Sequence, residues 1–358
     1  MKREELRELP NDAPRILELG NYPWVSVVMP RNTQFVYCGP KFNGQFTNMT
    51  LKLALELRRR LRRGDYDLMV WHIYYPKGSF WAEGRSGLMN AWIFARTALR
   101  QFQSIGRELI PWLMGGTKVP LVVIDRKDEP PMIISGELPL LKLCKAYFHR
   151  ECPIQPYAAF YNTTRRFGDS ANIKRAQWLL EHFAKIYPIS LGCQASEGFV
   201  PSDRKRTDVF FAGAVDHSEA RIKGMRVLGR LKGEGYVIDI PGYLHDRGEY
   251  LRRASEAYLV LSPQGLGWDC YRHYEAGYVG AVPVMNYPTI RRYQGLRHGV
   301  HAFYYGMEEE EELYGLLKGL LRDKERLVGM GKAAREHVLR YHMWDELVRY
   351  VLRIGLEG

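Results

Sequence analysis

The sequence predicts an α/β protein with parallel sheets in two domains. In three stretches an apolar strand is followed by a glycine-containing loop and then by a helix, namely residues 34–57, 208–226 and 258–285. Strands that alternate with helices along a chain form parallel sheets. The chain has 358 residues, of which 46% are hydrophobic, and this is enough for about two such domains.

The third stretch carries the most chemistry. Residues 258–261 are an apolar run typical of a buried parallel strand. Gly265 and Gly267 form a flexible loop after it, and Asp269 is a suitable N-cap for a helix over about residues 270–279. The loop and the helix N-terminus therefore lie at the carboxyl end of a strand, where open α/β sheets bind ligands.

Arg272 and Glu275 add specific chemistry to this helix. They are three positions apart, so their side chains share one helix face. A helix N-terminus with a guanidinium group suits a diphosphate, and a carboxylate one turn later can accept hydrogen bonds from ribose hydroxyls. The same spacing is equally typical of an ordinary surface ion pair between the two side chains.

The segment Gly-Leu-Gly-Trp-Asp-Cys-Tyr-Arg-His-Tyr-Glu-Ala at 265–276, followed by Gly-Ala-Val-Pro-Val at 280–284, resembles a known motif. It is similar to the donor-sugar motif of exostosin-like and group 1 glycosyltransferases, which have the GT-B fold. The resemblance implies that Glu275 holds the nucleotide ribose and that Arg272 lies near the diphosphate. Gly267 stands where many group 1 members carry a first glutamate, and this matches the exostosin-like variant better.

The resemblance also implies an architecture. A GT-B protein has two Rossmann-like domains that face a central cleft, with a C-terminal helix that crosses back onto the first domain. We accordingly expect an acceptor-binding domain at 1–190 and a nucleotide-sugar-binding domain at 207–340. A polar linker at 191–206 joins them, and residues 341–358 form the returning helix.

The other predicted donor residues follow the strand at 208–212. In the family this turn contacts the diphosphate, and an arginine in the next helix is a usual ligand. Arg221 is our first choice for that arginine and Lys223 is the second. The full predicted donor-binding set is Gly213, Arg221, Lys223, Gly265, Gly267, Asp269, Arg272 and Glu275.

The first half of the chain provides candidates for acceptor binding. Asn43 lies in the first glycine-containing loop, which faces the cleft in the GT-B arrangement. Tyr74 and Tyr75 belong to an aromatic loop that follows the predicted strand at 68–72. Sugars and nucleobases both stack on aromatic rings. We therefore predict that these three residues bind the acceptor.

Asp125 is the preferred catalytic base if the reaction inverts the configuration at the anomeric carbon. His72 and Asp128 are the alternatives to it. It ends the apolar run at 120–125, and a carboxylate at the carboxyl end of a buried strand is well placed to deprotonate an acceptor hydroxyl. Capping of a turn would also explain Asp125, and a structural histidine would explain His72. A retaining reaction need not have a separate base.

Local structure near the N-terminus is also predicted. Residues 1–14 are polar and contain two prolines, which is typical of a mobile lead-in. The apolar run at 24–29 is rich in β-branched residues and predicts a strand, as does the run at 34–38. Thr47 is a suitable N-cap for the helix that follows.

We predict no metal and no cofactor beyond the nucleotide-diphosphate sugar. Asp65-Tyr66-Asp67 resembles the metal motif of another transferase fold, but it precedes a strand, where turn formation explains it. The five cysteines are widely spaced without a C-x-x-C pattern, so the sequence indicates neither a zinc site nor a disulfide framework. Without an apolar signal core or a run of about 20 apolar residues, we expect a cytoplasmic protein.

The formal net charge of +12 favours anionic partners. Our leading hypothesis is a metal-independent glycosyltransferase whose acceptor is a hydroxyl of a surface glycan or lipid-linked glycan, with peripheral contact to an anionic inner membrane face left open. Three features, in this order, resemble those of phage DNA β-glucosyltransferases: Asp125, the run Asp-Val-Phe-Phe-Ala-Gly at 208–213, and Arg272 with Glu275. The charge, the arginines between positions 58 and 63 and the aromatic loop at 72–81 also favour DNA as a partner. The alternatives are therefore a glycosyltransferase of hydroxymethylated duplex DNA, and a non-catalytic basic binding protein with a degenerate transferase fold.

Overall fold

The computed structural model describes residue 10 and residues 12–39, 43–73, 106–127, 138–155, 173–216, 218–241 and 246–357. Within these ranges the chain forms two parallel sheets with helices packed on them. The predicted α/β class is therefore confirmed. Two sets of buried apolar side chains cover the two faces of each sheet.

The first sheet has six strands: β1 (Ile16–Gly20), β2 (Thr33–Tyr37), β3 (Leu68–His72), β4 (Leu121–Asp125), β5 (Ala146–His149) and β6 (Ile186–Pro188). Their order is β2-β1-β3-β4-β5-β6, and all neighbours pair in parallel. The helices of this half are α1 (Val25–Val28), α2 (Leu51–Arg63), α3 (Gly106–Met114), α4 (Leu138–Leu143) and α5 (Ile173–Phe183). The order of strands reverses between β1 and β3.

The second sheet has five strands: β7 (Thr207–Phe210), β8 (Ile238–Asp239), β9 (Ala257–Leu261), β10 (Val282–Asn286) and β11 (Phe303–Tyr305). Their order is β11-β10-β9-β7-β8, again in parallel, so the order reverses between β7 and β9. The helices are α6 (Glu219–Gly233), α7 (Arg247–Ser255), α8 (Tyr271–Tyr278), α9 (Glu310–Leu320) and α10 (Lys324–Tyr341).

The last helix, α11 (Trp344–Leu356), crosses back onto the first sheet. Leu347 and Val351 are fully buried there, in one cluster with Leu68 of β3 and Val122 of β4. A side chain at Gly355 would approach the Val122 methyl group at 2.9 Å, so the helix lies very close to the strand. This confirms the predicted return of the C-terminal helix to the first domain.

The strand predicted at residues 24–29 is wrong, because this segment contains the short helix α1 and the neighbouring strand is β1. The cause is the buried carboxylate of Glu18 in β1. It accepts hydrogen bonds from the backbone amides of Trp24, Val25 and Ser26 at 2.8–2.9 Å. The first amides of a helix have no acceptor within the helix, and the Glu18 carboxylate supplies one here. The segment therefore needs no neighbouring strand to satisfy these amides.

The predicted N-cap of α2 was three residues too early. Thr50, not Thr47, caps this helix, because its Oγ1 accepts a hydrogen bond from the Leu53 amide at 3.2 Å. The arginines that follow are largely used within the domain. Arg60 and Arg63 both pair with the carboxylate of Asp65, at 3.1 and 2.6 Å. This cluster is therefore a helix end that is stabilised internally.

Candidate functional site

Each sheet has one point at which the strand order reverses, and ligands of open α/β sheets bind outside the carboxyl ends of strands at such points. In the second sheet, the loops after β7 and β9 meet there. They contain Gly213 and Gly265, two of the predicted donor residues. In the first sheet, β1 and β3 carry Glu18 and His72 at the corresponding place.

Arg272 lies in the first turn of α8 with its side chain turned into the protein, where only 8% of the residue is exposed. Its Nε donates to the Ala212 carbonyl at 3.0 Å, and its guanidinium stands over the Phe211 ring at 4.7 Å. Its Nη1 is buried and has no hydrogen-bond partner in the described part of the chain. A buried cationic donor without an acceptor is costly, so this atom indicates a place for an anion.

Arg221, on α6, joins the same two loops. Its Nη1 donates to the Ala214 carbonyl at 2.8 Å and its Nε donates to the Gln264 carbonyl at 3.1 Å. Burial lowers the pKa of Arg221, and the nearby guanidinium of Arg272 lowers it further. Two cations that repel each other in a buried setting are stabilised by an anion between them.

The two predicted loop glycines leave room for these guanidinium groups. A Cβ at Gly213 would collide with Nη2 of Arg272, and the backbone there has φ +143°, which favours glycine. A Cβ at Gly265 would lie 2.7 Å from Nη2 of Arg221. The structure thus brings together Gly213, Gly265, Arg221 and Arg272, four of the eight predicted donor residues.

Glu275 lies one turn further along α8. It does not pair with Arg272, so the simple surface pair is absent from the described contacts. Its Oε1 instead accepts from Nη1 of Arg247, on α7, at 2.6 Å. The Glu275 side chain is 12% exposed and that of Arg247 is 42% exposed. The carboxylate is therefore held at the rim of the site by a side chain that a ligand can displace.

Asp269 has a different role from the one predicted. The N-cap of α8 is Cys270, which makes no side-chain capping bond. The buried carboxylate of Asp269 accepts from the Leu191 amide at 2.7 Å and from the Tyr274 hydroxyl. It also lies 3.6 Å from Nε of Arg150, which follows β5. Contacts at the domain junction thus occupy the carboxylate that the helix start would need.

The remaining two donor candidates, Lys223 and Gly267, make other contacts. The amino group of Lys223 donates to the backbone carbonyls of Met307 and Glu308, at 2.9 and 3.2 Å. The Gly267 carbonyl accepts from the Gly265 amide at 3.0 Å and so closes the turn of the loop. These contacts lie within the second domain, and the donor-binding role of the two residues stays a prediction.

Glu151, directly after β5, holds the glycine loop from the other domain. Its two carboxylate oxygens accept from the backbone amides of Trp268 and Asp269, each at 2.9 Å. Arg150 beside it donates to the Asp269 carbonyl. Sequence reasoning did not single out these contacts, although two charged residues directly after an apolar strand were the available signal.

Asp125 is fully buried at the end of β4. It accepts from the Tyr147 hydroxyl at 2.9 Å and lies 3.3 Å from Nδ1 of His149 and 3.5 Å from Nζ of Lys127. Burial raises the pKa of Asp125, but the charges of His149 and Lys127 outweigh it and hold the pKa well below its usual range. Because the carboxylate is fully buried and is contacted by three side chains, the geometry disfavours Asp125 as the catalytic base.

Acid should therefore destabilise the first domain. Because the folded pKa of Asp125 is lowered, its contribution to stability is present above the ordinary value of 3.8 and is lost as the pH falls below it. We expect the thermal unfolding midpoint to fall as the pH is lowered from about 4 to about 2, as measured by circular dichroism. Asp125→Asn should flatten this dependence, while Asp12→Asn, at an exposed ion pair, should not. Parallel curves for wild type and Asp125→Asn would contradict the expectation.

His72 and Glu18 form a buried pair at the reversal point of the first sheet. Nε2 of His72 lies 2.8 Å from Oε1 of Glu18, and the imidazole packs edge-to-face against the Trp24 ring at 6.3 Å. Burial raises the pKa of Glu18, but His72 and the amides of α1 lower it more, so the net pKa is lowered. An ionised carboxylate that holds an imidazole is the usual support of a histidine base.

Glu18 was missed by sequence reasoning. Its only signal was one carboxylate within the apolar run Ile-Leu-Glu-Leu-Gly. Of the remaining candidates, Tyr74, Tyr75 and Asp128 lie outside the described residues. The Asn43 side-chain oxygen accepts from the Gln45 amide at 2.9 Å and thus closes its own loop.

Neither a protein-family model nor a curated protein matches the chain. Among solved structures, a glycosyltransferase from Rickettsia africae ESF-5 is similar over 97% of this chain and 100% of its own, with 10% identity and a TM-score of 0.52. Sucrose-phosphate synthase from Thermosynechococcus elongatus is similar over 95% and 98%, with 9% identity and a TM-score of 0.55. An alpha-glucosyltransferase in complex with UDP and a 13-mer DNA is similar over 96% and 100%, with 11% identity and a TM-score of 0.54.

These similarities show that the chain has the GT-B fold, as the resemblance implied. Among the described residues, the structure contains no helix that is long and apolar enough to cross a membrane. The same residues contain no cluster of His, Cys, Asp and Glu side chains that would hold a metal ion.

Proposed function

We propose that the protein is a glycosyltransferase that uses a nucleotide-diphosphate sugar. The observation that carries this proposal is the buried pair of Arg221 and Arg272, with the unpaired Nη1 of Arg272, at the reversal point of the second sheet. A diphosphate that leaves the sugar gains negative charge. The preorganised guanidinium groups of Arg221 and Arg272 would stabilise that charge in the transition state.

Glu275 is the residue that we assign to the nucleotide ribose. Its carboxylate lies one helical turn after Arg272 and its present partner is the half-exposed Arg247. A ribose that displaces this guanidinium group would find an acceptor for its hydroxyls. UDP is the first nucleotide to try, because the alpha-glucosyltransferase with the same fold was solved with UDP bound.

His72 replaces Asp125 as our preferred base for an inverting reaction. Its Nε2 is bound to Glu18, and its Nδ1 forms no hydrogen bond with the described residues, so this nitrogen is our choice to accept the proton of an acceptor hydroxyl. Asp125 is fully buried and already bound by three neighbours. A retaining reaction would need neither residue as a base. The acceptor that we propose is a hydroxyl of a surface glycan or of a lipid-linked glycan, and the reaction needs no metal.

A DNA glycosyltransferase is the second candidate. It is favoured by the net charge of +12 and by the similarity to the structure that contains UDP and DNA. Binding of duplex DNA would then fall steeply with rising salt. Absence of an electrophoretic shift at low salt would argue against it. A non-catalytic binding protein, our third hypothesis, offers no reason for a buried arginine nitrogen without a partner.

Nucleotide binding tests the proposal. Thermal unfolding is measured with UDP, GDP, dTDP and CMP, each with and without EDTA. One nucleoside diphosphate at 100 times its Kd should stabilise the protein by about 2.7 kcal/mol, and EDTA should not change this. Arg226→Ala is a matched control, because Arg226 lies on α6 but is exposed and pairs with Glu310. If no nucleotide raises the midpoint, the transferase proposal fails.

A further inference from the structure

We propose that an acceptor subsite lies between the two domains at Tyr22, Arg126 and Tyr271, and that it takes a sugar carrying a phosphate or a carboxylate. The inference rests on the proposed glycosyltransferase function and specifies its acceptor. None of the three residues was among the predicted acceptor residues. They come from the loop after β1, the loop after β4 and the first turn of α8.

Arg126 is the charged centre of this subsite. Its guanidinium lies 5.5 Å from the centre of the Trp24 ring and 5.8 Å from that of the Trp344 ring. Its Nη2 donates to the Tyr271 hydroxyl at 3.0 Å. Arg126 forms no ion pair with any carboxylate in the described ranges. Its Nη2 also lies 3.4 Å from the Leu191 carbonyl. A guanidinium that is held by aromatic rings and forms no close ion pair is suited to a phosphate or carboxylate.

Tyr22 and Tyr271 provide aromatic surface near the guanidinium. Tyr22 is 45% exposed and packs edge-to-face on Trp344, with ring centres 6.0 Å apart. Tyr271 is 44% exposed although it binds Arg126. Burial raises the pKa of Tyr22 and nearby Tyr271 adds to this, while Arg126 opposes it, which reflects how close the three groups are. Half-exposed tyrosine rings are suitable surfaces for stacking a sugar.

Trp24 supplies an independent observation. It is 1% exposed, and its Nε1 is buried without a hydrogen-bond partner in the described part of the chain. Buried indole N–H groups usually have an acceptor. The ring that carries this unpaired donor lies under the guanidinium of Arg126. The ring next to Arg126 therefore carries a donor whose hydrogen bond is not made within the described part of the chain.

The position of the subsite suits an acceptor. Tyr271 directly precedes Arg272 of the diphosphate site. On the other side, the Trp24 ring contacts the imidazole of His72, our preferred base. The subsite is therefore adjacent to the diphosphate site through Tyr271 and is linked to the candidate base through Trp24. Because Tyr271 belongs to the second domain and Arg126 to the first, the subsite is complete only when the domains are close.

Binding of small sugars tests the inference without knowledge of the natural acceptor. The protein, saturated with UDP, is titrated with glucose 6-phosphate, glucuronate and methyl glucoside, and binding is followed by saturation-transfer NMR. At least one anionic sugar should bind about tenfold or more tightly than the neutral one, since hydrogen bonds to charged groups are strong. The two anionic sugars distinguish a phosphate from a carboxylate.

Arg126→Gln should abolish this preference and leave UDP binding unchanged. Tyr271→Phe keeps the ring and removes the hydroxyl that holds Arg126. It should weaken the binding of the anionic sugar several-fold. Arg31→Gln is the matched control, because Arg31 is exposed and precedes the edge strand β2, whereas Arg126 follows β4 inside the sheet. It should behave as wild type.

Three results would overturn the inference. The first is equal binding of neutral and anionic sugars to the wild type. The second is an anionic preference that survives Arg126→Gln. The third is duplex DNA that binds through Arg126 while neither anionic sugar does, which would assign the subsite to a phosphodiester. Failure of UDP to bind at all would instead remove the proposed function.

Discussion

Arg272→Ala is expected to lower kcat/KM for the donor by about a hundredfold to a thousandfold, which is the usual effect of removing one donor from a buried anion site. The variant removes the buried guanidinium whose Nη1 is unpaired and leaves Arg221 alone to face the diphosphate. We also expect the stabilisation by UDP to disappear. Steady-state kinetics and thermal unfolding with UDP measure the two effects.

Two controls separate loss of binding from loss of fold. Arg272→Ala leaves the Ala212 carbonyl without its partner, so the unfolding midpoint without ligand must be measured as well. Arg272→Lys keeps the charge but not the planar fork of donors, and it should recover only part of the activity. The exposed variant Arg226→Ala should retain normal kinetics. Normal donor kinetics in Arg272→Ala would show that the diphosphate lies elsewhere.

Glu151→Ala is expected to destabilise the domain junction by about 3 to 5 kcal/mol, as is usual when one partner of a buried charged pair is removed. The amides of Trp268 and Asp269 would lose their acceptors, and Arg150 would lose the carboxylate 3.6 Å from its Nε. Because each domain has its own core, we expect unfolding in denaturant to separate into two transitions.

The replacement Glu151→Gln tests the origin of this effect. It keeps the size of the side chain and one oxygen acceptor, so it should lose less stability than Glu151→Ala. Glu346→Ala is a suitable control, because Glu346 forms a surface pair with Arg349 and its side chain is 30% exposed. A Glu151→Ala protein that unfolds in one transition with the wild-type midpoint would show that this carboxylate does not hold the domains together.

The parts of the fold that were predictable depend on local patterns. Residues 68–72 form the predicted strand, and all five of their side chains are buried. A short run of this kind is typical of a strand inside a parallel sheet. The region at 24–29 was not predictable in this way. Its apolar β-branched residues suit a strand, but the carboxylate of Glu18, on a different strand, supplies the acceptor that starts a helix. A side chain that lies outside the segment, six to eight positions earlier, thus overrides the local preference.

The residues of the candidate site also fall into those that local patterns predict and those that they do not. Gly213, Arg221, Gly265 and Arg272 belong to strand-loop-helix units, so their spacing already placed them at one sheet edge. The pair of Glu18 and His72 joins two strands that are separated by 54 positions in the sequence. Arg126 and Tyr271 are 145 positions apart and lie in different domains. The spacing of residues in the sequence does not predict such contacts, because they depend on the order of the strands in the sheet and on how the two domains contact each other.

The return of α11 to the first sheet has a consequence for how the protein is made. The side chains of α11 cover apolar residues of β3 and β4, but the ribosome synthesises this helix roughly 150 residues after β6, or roughly 10 to 30 s later at usual rates. During that time one face of the nascent first sheet is uncovered. We therefore expect newly made chains to be captured by chaperones that recognise exposed apolar surface, and to be released once α11 has docked.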